Sequence, residues 1–499
     1  MARRLDLVIV GMGSGGMVAA ELATTLGLRV AIVERGRVGG DCLWTGCVPS
    51  KALLASAKAA HTMRTAHRYG LPDVDPEIDT VEVWKQMRAV RQQIATTDDD
   101  PARFEAMGAA VVRGHATLVG PHTVRVEHSA GGRIDLDARF ILLCTGSRPT
   151  EPEIPGLREV GALTSETVFE LDRAPSSICV IGGGPIAVEM AQAFCRLGIR
   201  TTVLQKGDAV LAREEPELVD VLTEGLRGEG VDVRTGVDID RVDLVDGLKV
   251  VNGRAAPAPS EARAATAGPG RRATMWRAEE LFVAVGRRPS IEGLGLEDVG
   301  IETGPKGVVV DDRGRTTLPW VYAAGDLAGR HLFTHSAGYE AVRAVRDLAF
   351  PGRGEVRDLI PWCTFTDPEL AHVGLTIAEA RERHGERVEV WRMALDHSDR
   401  ARAERATDGR IIIVTANNKV VGAHILGPGA GELIHEPALA ISQGLRLSDL
   451  AFVHVYPTLS SSIGQLAADA AIQSARRLAW TRRLTWTKRL TWTVRRHRR

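Results

Sequence analysis

The pattern that most constrains this 499-residue chain is a unit it spells out twice: apolar strand, glycine turn, helix, apolar strand. Residues 5–34 read LDLVIVGMGSGGMVAAELATTLGLRVAIVE, and residues 177–206 read SICVIGGGPIAVEMAQAFCRLGIRTTVLQK. A β-branched run, a GxGxx(G/A) turn and about four turns of helix set the next strand parallel to the first, with the helix packed on the sheet. In the first unit Gly11 permits the tight turn, Gly13 lets the backbone approach a pyrophosphate, and Gly16 brings the helix against the sheet. Ser14 and Gly15 complete the turn, and the helix N-terminus behind it faces phosphate charge. Glu34 closes the second strand, 23 residues past Gly11, where its carboxylate accepts from adenosine ribose hydroxyls.

Gly182, Gly184 and Ala187 repeat the turn in the second unit. Its second strand ends in VLQK, so Gln205 stands where an NAD-selecting acid would be, and Lys206 follows. A carboxylate there repels a 2′-phosphate, whereas an amide and an ammonium admit one. NADPH is the expected nicotinamide; with Lys206 merely solvated, NADH serves as well. Two such units in one chain imply two dinucleotides.

Between the units in sequence lies CLWTGCVPSK, with Cys42 and Cys47 close together and four other cysteines scattered far away. A structural zinc would need two more ligands, and no second cysteine pair or Cys/His cluster supplies them, so no metal site is expected. A static disulfide suits an oxidising compartment, whereas six cysteines in so long a chain suit a reducing, cytoplasmic one. What remains is a redox pair beside a flavin, with its thiolate favoured at the start of a helix. The other four read as small apolar residues.

Lys+Arg and Asp+Glu both total 63, which gives no pull toward nucleic acid. From Arg476 onward there are nine Arg, one Lys and no acid, so the tail carries +10 and the remainder −10. Its repeat, LAWTRR, LTWTKR, LTWTVR, suits a membrane surface or a protein partner; the alternative is a solvated, disordered tail. MARRLDLVIV reads as the start of a buried βα unit rather than a signal peptide. The expected domains are 1–150 with 287–352, then 151–286, then an α+β domain over 353–475, and last the tail 476–499. Within the second domain, Ala/Pro/Gly/Arg-rich 253–273 reads as a surface loop.

Over about residues 5–470 the chain resembles the FAD-dependent pyridine nucleotide–disulfide oxidoreductases, which include lipoamide dehydrogenase, glutathione reductase and mercuric reductase. GGDCLWTGCVPSK is similar to the family's redox stretch, and CTGSRP, with Thr145 and Gly146, to the strand end where the chain leaves the FAD domain. GGGPIAVE is similar to the nicotinamide fingerprint, VAVGRRPS with Gly286 to the crossing back, and TTLPWVYAAGD to the second FAD motif. The resemblance implies an α/β fold with two Rossmann-like domains, for FAD and NAD(P), and a C-terminal α+β dimerisation domain. It implies that Cys42 meets substrate, that Cys47 lies against the flavin, and that Asp326 holds the ribityl chain. It implies that Lys51 stands near flavin N5, paired with Glu189; the ammonium would stabilise negative charge on reduced flavin.

The departures bear on the acceptor. Disulfide-reducing members carry His-Pro-Thr near the C-terminus, followed by a Glu that orients the His, and that His reaches across the dimer as acid–base. This chain reads HVYPTLSSS, with Tyr456 in place of the His and Ser461 in place of the Glu. A phenol is a poor proton shuttle at neutral pH. His454, two residues earlier, is a candidate substitute or a structural histidine. Tyrosine in that slot resembles mercuric reductase, whose substrate is a metal ion, although that enzyme's C-terminal cysteine pair has no counterpart after Cys363. The expected protein is a cytoplasmic homodimer passing electrons from NAD(P)H through FAD and Cys42–Cys47 to a mercuric-reductase-like acceptor. The alternatives are a dihydrolipoyl dehydrogenase or other disulfide reductase, a quinone reductase, or a flavin-loaded sensor recruited to a membrane surface or partner by its tail.

Overall fold

The computed structural model describes residues 4–128, 130–256, 272–352, 358–473 and 475–476. The chain forms two compact units: Met1–Leu211 with Leu226–Asp358, and Ala212–Gly225 with Leu359–Arg499. In the first unit, the apolar runs Leu5–Val10 and Val30–Glu34 become neighbouring parallel strands. Val30–Glu34 pairs in turn with Ala110–Gly120, and Leu5–Val10 with Arg133–Leu143, which carries Val321–Ala323 on its other side. Both faces are covered, which is why these strands read as continuous rather than alternating hydrophobic runs. On one face Leu7, Ile9 and Ile32 pack with Ala19 and Ala23 of the helix Ser14–Thr25 and with Ala341 and Val345 of the helix Thr334–Ala349. On the other, Val8, Val10 and Val33 pack with Leu118, Val126 and Leu143.

A second parallel sheet orders Glu280–Val283, Ser177–Ile181, Arg200–Leu204 and Asp232–Arg234. It packs through Cys179, Ile181 and Val283 on Val242, Val251 and Trp276 of an antiparallel layer, Asp238–Val245, Leu248–Ala255 and Arg272–Ala278. The ends of the loop expected over 253–273 are strand instead. Gly253, Arg254 and Ala255 continue a strand and pair with Thr274, Ala273 and Arg272, so cross-strand pairing prevails over a loop-like composition, and 257–271 lie outside the described residues. Where the chain crosses between the two parallel sheets, Ser147–Pro149 pairs antiparallel with Arg287–Pro289. The fold class is α/β with two dinucleotide-binding sheets, as the glycine turns imply.

The second unit is built on an antiparallel sheet ordered Trp362–Thr364, Glu369–Gly374, Lys419–Gly427, Arg410–Ala416 and Val388–Ala394. Ile411, Ile413, Ile425 and Val373 face a core completed by Ala440, Ile463 and Leu466. The other face holds a buried polar cluster. Trp362 stacks on His372, ring centroids 3.8 Å apart, and its indole N–H donates to Glu214 at 2.6 Å. His372 pairs in register with His424, and its Nδ1 stands 3.7 Å from Glu214 Oε2. Burial drives the carboxyl of Glu214 up to about 7 and the two imidazoles down, His372 to about 4 and His424 to about 3. Among the described residues no helix is long and apolar enough to cross a membrane. Apart from Arg476, the tail 476–499 lies outside them.

Candidate functional site

Asp41 and Cys42 sit on the short helix Gly40–Trp44, and Gly46 turns the chain directly into the helix Cys47–Arg64. A Cβ on Gly46 would come within 2.9 Å of the Asp41 carbonyl, so the tight link between the two thiols needs glycine. Cys47 is the first helical residue, and Pro49 two positions on removes no helical hydrogen bond, because first-turn N–H groups have no intrahelical partner. Lys51 follows one turn after Cys47 and projects toward the helix Pro185–Arg196, where its Nζ meets Glu189 Oε2 at 2.8 Å. The Glu189 side chain is almost fully buried, while that of Lys51 is about a third exposed.

Both cysteines are thiols in this structure. The hydrogen bond from Cys42 favours the thiolate of Cys47, and the Thr334 hydroxyl, 3.3 Å away, and the Lys51 cation add to it. Together they outweigh burial and the Glu189 charge and bring Cys47 down to about 6. The N-terminal end of a helix acts in the same direction. Cys42 moves the other way: the bond it gives to Cys47, burial and the neighbouring negative charge hold it protonated. A pair arranged this way keeps its proton on Cys42 and its charge on Cys47.

The first glycine turn opens beside this pair. Gly11 has φ +102°, and a Cβ there would lie 2.4 Å from the Cys144 carbonyl oxygen. One on Gly16 would lie 1.9 Å from the Gly11 carbonyl, so helix and strand meet backbone to backbone. Gly13 caps the helix without any side-chain cap, no acid stands in the first turn, and Ser14 is its first residue, hydrogen-bonded to Cys42. Gly15 is buried in the same turn. Glu34 accepts from the backbone N–H groups of Met12 at 2.7 Å and Gly36 at 2.6 Å, which fixes its carboxylate over the turn. Uncapped N–H groups, a bare glycine surface and a fixed acid 23 residues on fit an adenine dinucleotide.

Asp326 extends this surface. Ser147 donates its hydroxyl to the Asp326 carboxylate, Arg287 donates to Asp41 and, at 2.7 Å, to Ser147 Oγ, and burial raises the Asp326 pKa. Gly325 before it is held by Glu340, which accepts its N–H at 2.7 Å. Thr145 donates to the Ser290 carbonyl at 2.9 Å, and Gly146 accepts from the Ser290 N–H at 2.9 Å, so both lie at the crossover.

The second glycine turn lines a cavity of about 970 Å³ with Gly182, Gly183, Gly184, Gln205, Lys206, Val237, Arg254 and Gly286. Gly182 takes φ +125°, and a Cβ on Gly183 would strike the Gln205 side chain at 2.8 Å. Gly184 caps the helix Pro185–Arg196, and Ala187 is fully buried in its first turn. Gln205 donates its amide to the Ala209 carbonyl at 3.2 Å; Lys206 is exposed and meets no carboxylate among the described residues.

In the second unit, the exposed Tyr456 donates its hydroxyl to Asp399 at 2.6 Å, and this bond raises the phenol pKa. His454 is nearby in sequence but its side chain is only 8% exposed. Its Nδ1 pairs with the Phe452 carbonyl at 2.9 Å and its Nε2 with Glu436 at 3.2 Å, so both ring nitrogens are engaged within the unit. Ser461 donates to the Thr458 carbonyl at 2.6 Å.

The profile of pyridine nucleotide-disulphide oxidoreductases matches residues 5–344, and that of their dimerisation domain matches residues 360–467. The chain belongs to the pyridine nucleotide-disulphide oxidoreductase family. It is 35% identical to a mercuric reductase of Streptomyces lividans, over 95% of this chain and 98% of that protein. It is 33% identical to dihydrolipoyl dehydrogenase 2 of Haloarcula marismortui, over 93% and 96%. Among solved structures it superposes on the copper(II) complex of RclA, a HOCl-induced flavoprotein disulfide reductase from Escherichia coli. That match has TM-score 0.81 and 25% identity, over 93% of this chain and 99% of that one. The protein is an NAD(P)H-dependent flavoprotein oxidoreductase; its family uses FAD and NAD(P)H, and it carries the family's dimerisation domain.

Within this oxidoreductase, Thr334, Glu340, Asp399 and Arg254 escape sequence reasoning. None belongs to a glycine or cysteine motif, and Thr334 reaches Cys47 from 287 residues away. Arg287 was within reach, since it is the first arginine of the GRRP stretch that the resemblance singles out.

Proposed function

We propose that the protein is a cytoplasmic homodimer that passes electrons from NADPH through FAD to the Cys42–Cys47 disulfide, and from the dithiol to a soft metal ion. One observation carries the choice of acceptor: the position expected to hold the acid–base imidazole bears Tyr456, bonded to Asp399.

Bound FAD would supply the two-electron relay between nicotinamide and disulfide. Gly11, Gly13 and Gly16 admit its pyrophosphate, Glu34 its ribose and Asp326 its ribityl chain; Gly182, Gly184, Gln205 and Lys206 receive NADPH. Lys51, steadied by Glu189, provides positive charge where electrons accumulate. Two electrons and one proton open the disulfide, the proton resting on Cys42 and the charge on Cys47, as their opposed pKa shifts favour. The two sulfurs then give two electrons to the metal acceptor, one Hg(II) or two Cu(II) ions, the disulfide reforms and the Cys42 proton is released. Soft thiolates suit a soft cation. A phenol held protonated by Asp399 cannot protonate a leaving thiolate readily, so an acceptor that needs no such proton fits best. Among the relatives, one mercuric reductase supports this reading, while RclA, seen as a copper(II) complex, is a disulfide reductase and others are dihydrolipoyl dehydrogenases. A reducing cytoplasm would keep such a dithiol working.

The test is steady-state NADPH oxidation with Hg(II), Cu(II), lipoamide, glutathione disulfide and quinones. Metal ions should support turnover that disappears in Cys42→Ala. Disulfides turned over as fast as metal ions would contradict the reading, and quinone turnover that survives Cys42→Ala would point to direct flavin oxidation.

A further inference from the structure

The nucleotide cavity contains a cation that its glycine fingerprint does not. Arg254 lies in the strand Leu248–Ala255, opposite Asp238 in register. The residue before Asp238, Val237, donates its N–H to the Gln205 carbonyl at 3.0 Å, and Gly236 donates to the Gly207 carbonyl at 2.8 Å. These bonds lay the start of the antiparallel layer alongside the end of the strand Arg200–Leu204. Arg254 thereby lines the same cavity as Gln205 and Lys206, although it is 48 residues further along the chain than Lys206. Its guanidinium donates to Asp240 at 3.1 Å, and the two side chains are 57% and 52% exposed. A pair so exposed is weak and exchanges partners easily.

We infer that Arg254 is the second cation, with Lys206, that recognises the 2′-phosphate of NADPH, exchanging Asp240 for the phosphate. This rests on the NADPH reading above. Asp238 and Asp240 line the same cavity, so a phosphate dianion bound there by Lys206 alone would share it with two carboxylates. Arg254 offsets that repulsion, and its planar fork offers two parallel N–H donors to phosphate oxygens, which Lys206 cannot. NADH carries a hydroxyl at that carbon and gains nothing from the fork.

The experiment uses the FAD-loaded protein under anaerobic conditions, follows loss of flavin absorbance on adding NADPH or NADH, and measures competition by 2′,5′-ADP and 5′-ADP. Arg254→Ala should raise half-saturating NADPH by about tenfold or more and change NADH less than about twofold. It should also erase the advantage of 2′,5′-ADP over 5′-ADP, while Arg254→Lys keeps part of it. Asp240→Asn, which frees the guanidinium, should tighten 2′,5′-ADP. Equal losses for both nicotinamides, or a wild-type preference retained in Arg254→Ala, would overturn the role of Arg254 alone. A wild type that prefers NADH and binds 2′,5′-ADP no more tightly than 5′-ADP would overturn the NADPH reading itself.

Discussion

The Tyr456 hydroxyl donates to the Asp399 carboxylate across 2.6 Å, so the aromatic ring proposed to stand in the slot of an acid–base histidine has its own proton committed. The bond raises the phenol pKa. Removing it should lower that pKa toward the ordinary value. Asp399→Asn, with Tyr456→Phe subtracted to isolate one of the four tyrosines, should show this in an ultraviolet pH titration. Restoring an imidazole pair with Tyr456→His and Ser461→Glu should raise lipoamide or glutathione disulfide turnover by about tenfold or more, the low end of what a placed acid–base contributes.

Lys51 and Glu189 differ in exposure, and their substitutions should differ accordingly. Lys51→Met takes a cation from a nearly buried carboxylate and should cost about 2 kcal/mol of stability, whereas Glu189→Gln leaves an ammonium that water can reach and should cost less. Thermal melts compare the two. In the FAD-loaded protein, Lys51→Met should slow flavin reduction by NADPH about a hundredfold.

Thr334 tunes Cys47 through one hydroxyl. A thiol held low is a thiolate above its pKa and is protonated as pH falls through it, here near 6. Thr334→Val removes one stabilising donor and should move that midpoint up by about one unit. The pH titration of the long-wavelength band between a thiolate and oxidised flavin reads the midpoint directly, and an unmoved midpoint would contradict the role given to Thr334.

The buried cluster in the second unit makes stability depend on pH in two opposed windows. Glu214 rises from 4.5 to about 7, so the folded state holds a proton that the unfolded chain releases, and stability falls as pH climbs through that window. His372 and His424 are depressed from 6.5 to about 4 and about 3, so they contribute the opposite slope and weaken the fold in acid. Glu214→Gln removes only the first effect. Its melting temperature should gain on the wild type between pH 5 and pH 8, by an amount corresponding to about 3 kcal/mol at most. A constant gap would contradict the Glu214 shift.

Both parallel sheets, their glycine turns and the closeness of the two cysteines are legible in the sequence because each is a local device: a turn, a helix start, a strand end. Gly11 and Gly182 announce themselves since few other residues take their backbone angles. Thr334 and Arg254 were not legible, because they reach their sites through sheet register and helix docking, which local periodicity does not encode. Tyr456 was visible in sequence, but its bond to Asp399, 57 residues away, was not. The strand character of 253–255 is hidden for a related reason: its low-complexity composition gives no sign of the partner strand further along the chain.

In the proposed mechanism Cys47 is the thiolate held against the flavin while Cys42 keeps the proton. Anaerobic titration of the FAD-loaded protein with NADPH tests it most directly. A long-wavelength absorption band should appear after two electrons, be retained in Cys42→Ser and be absent in Cys47→Ser. A wild type that bleaches without passing through the band, or a band that survives Cys47→Ser, would contradict it.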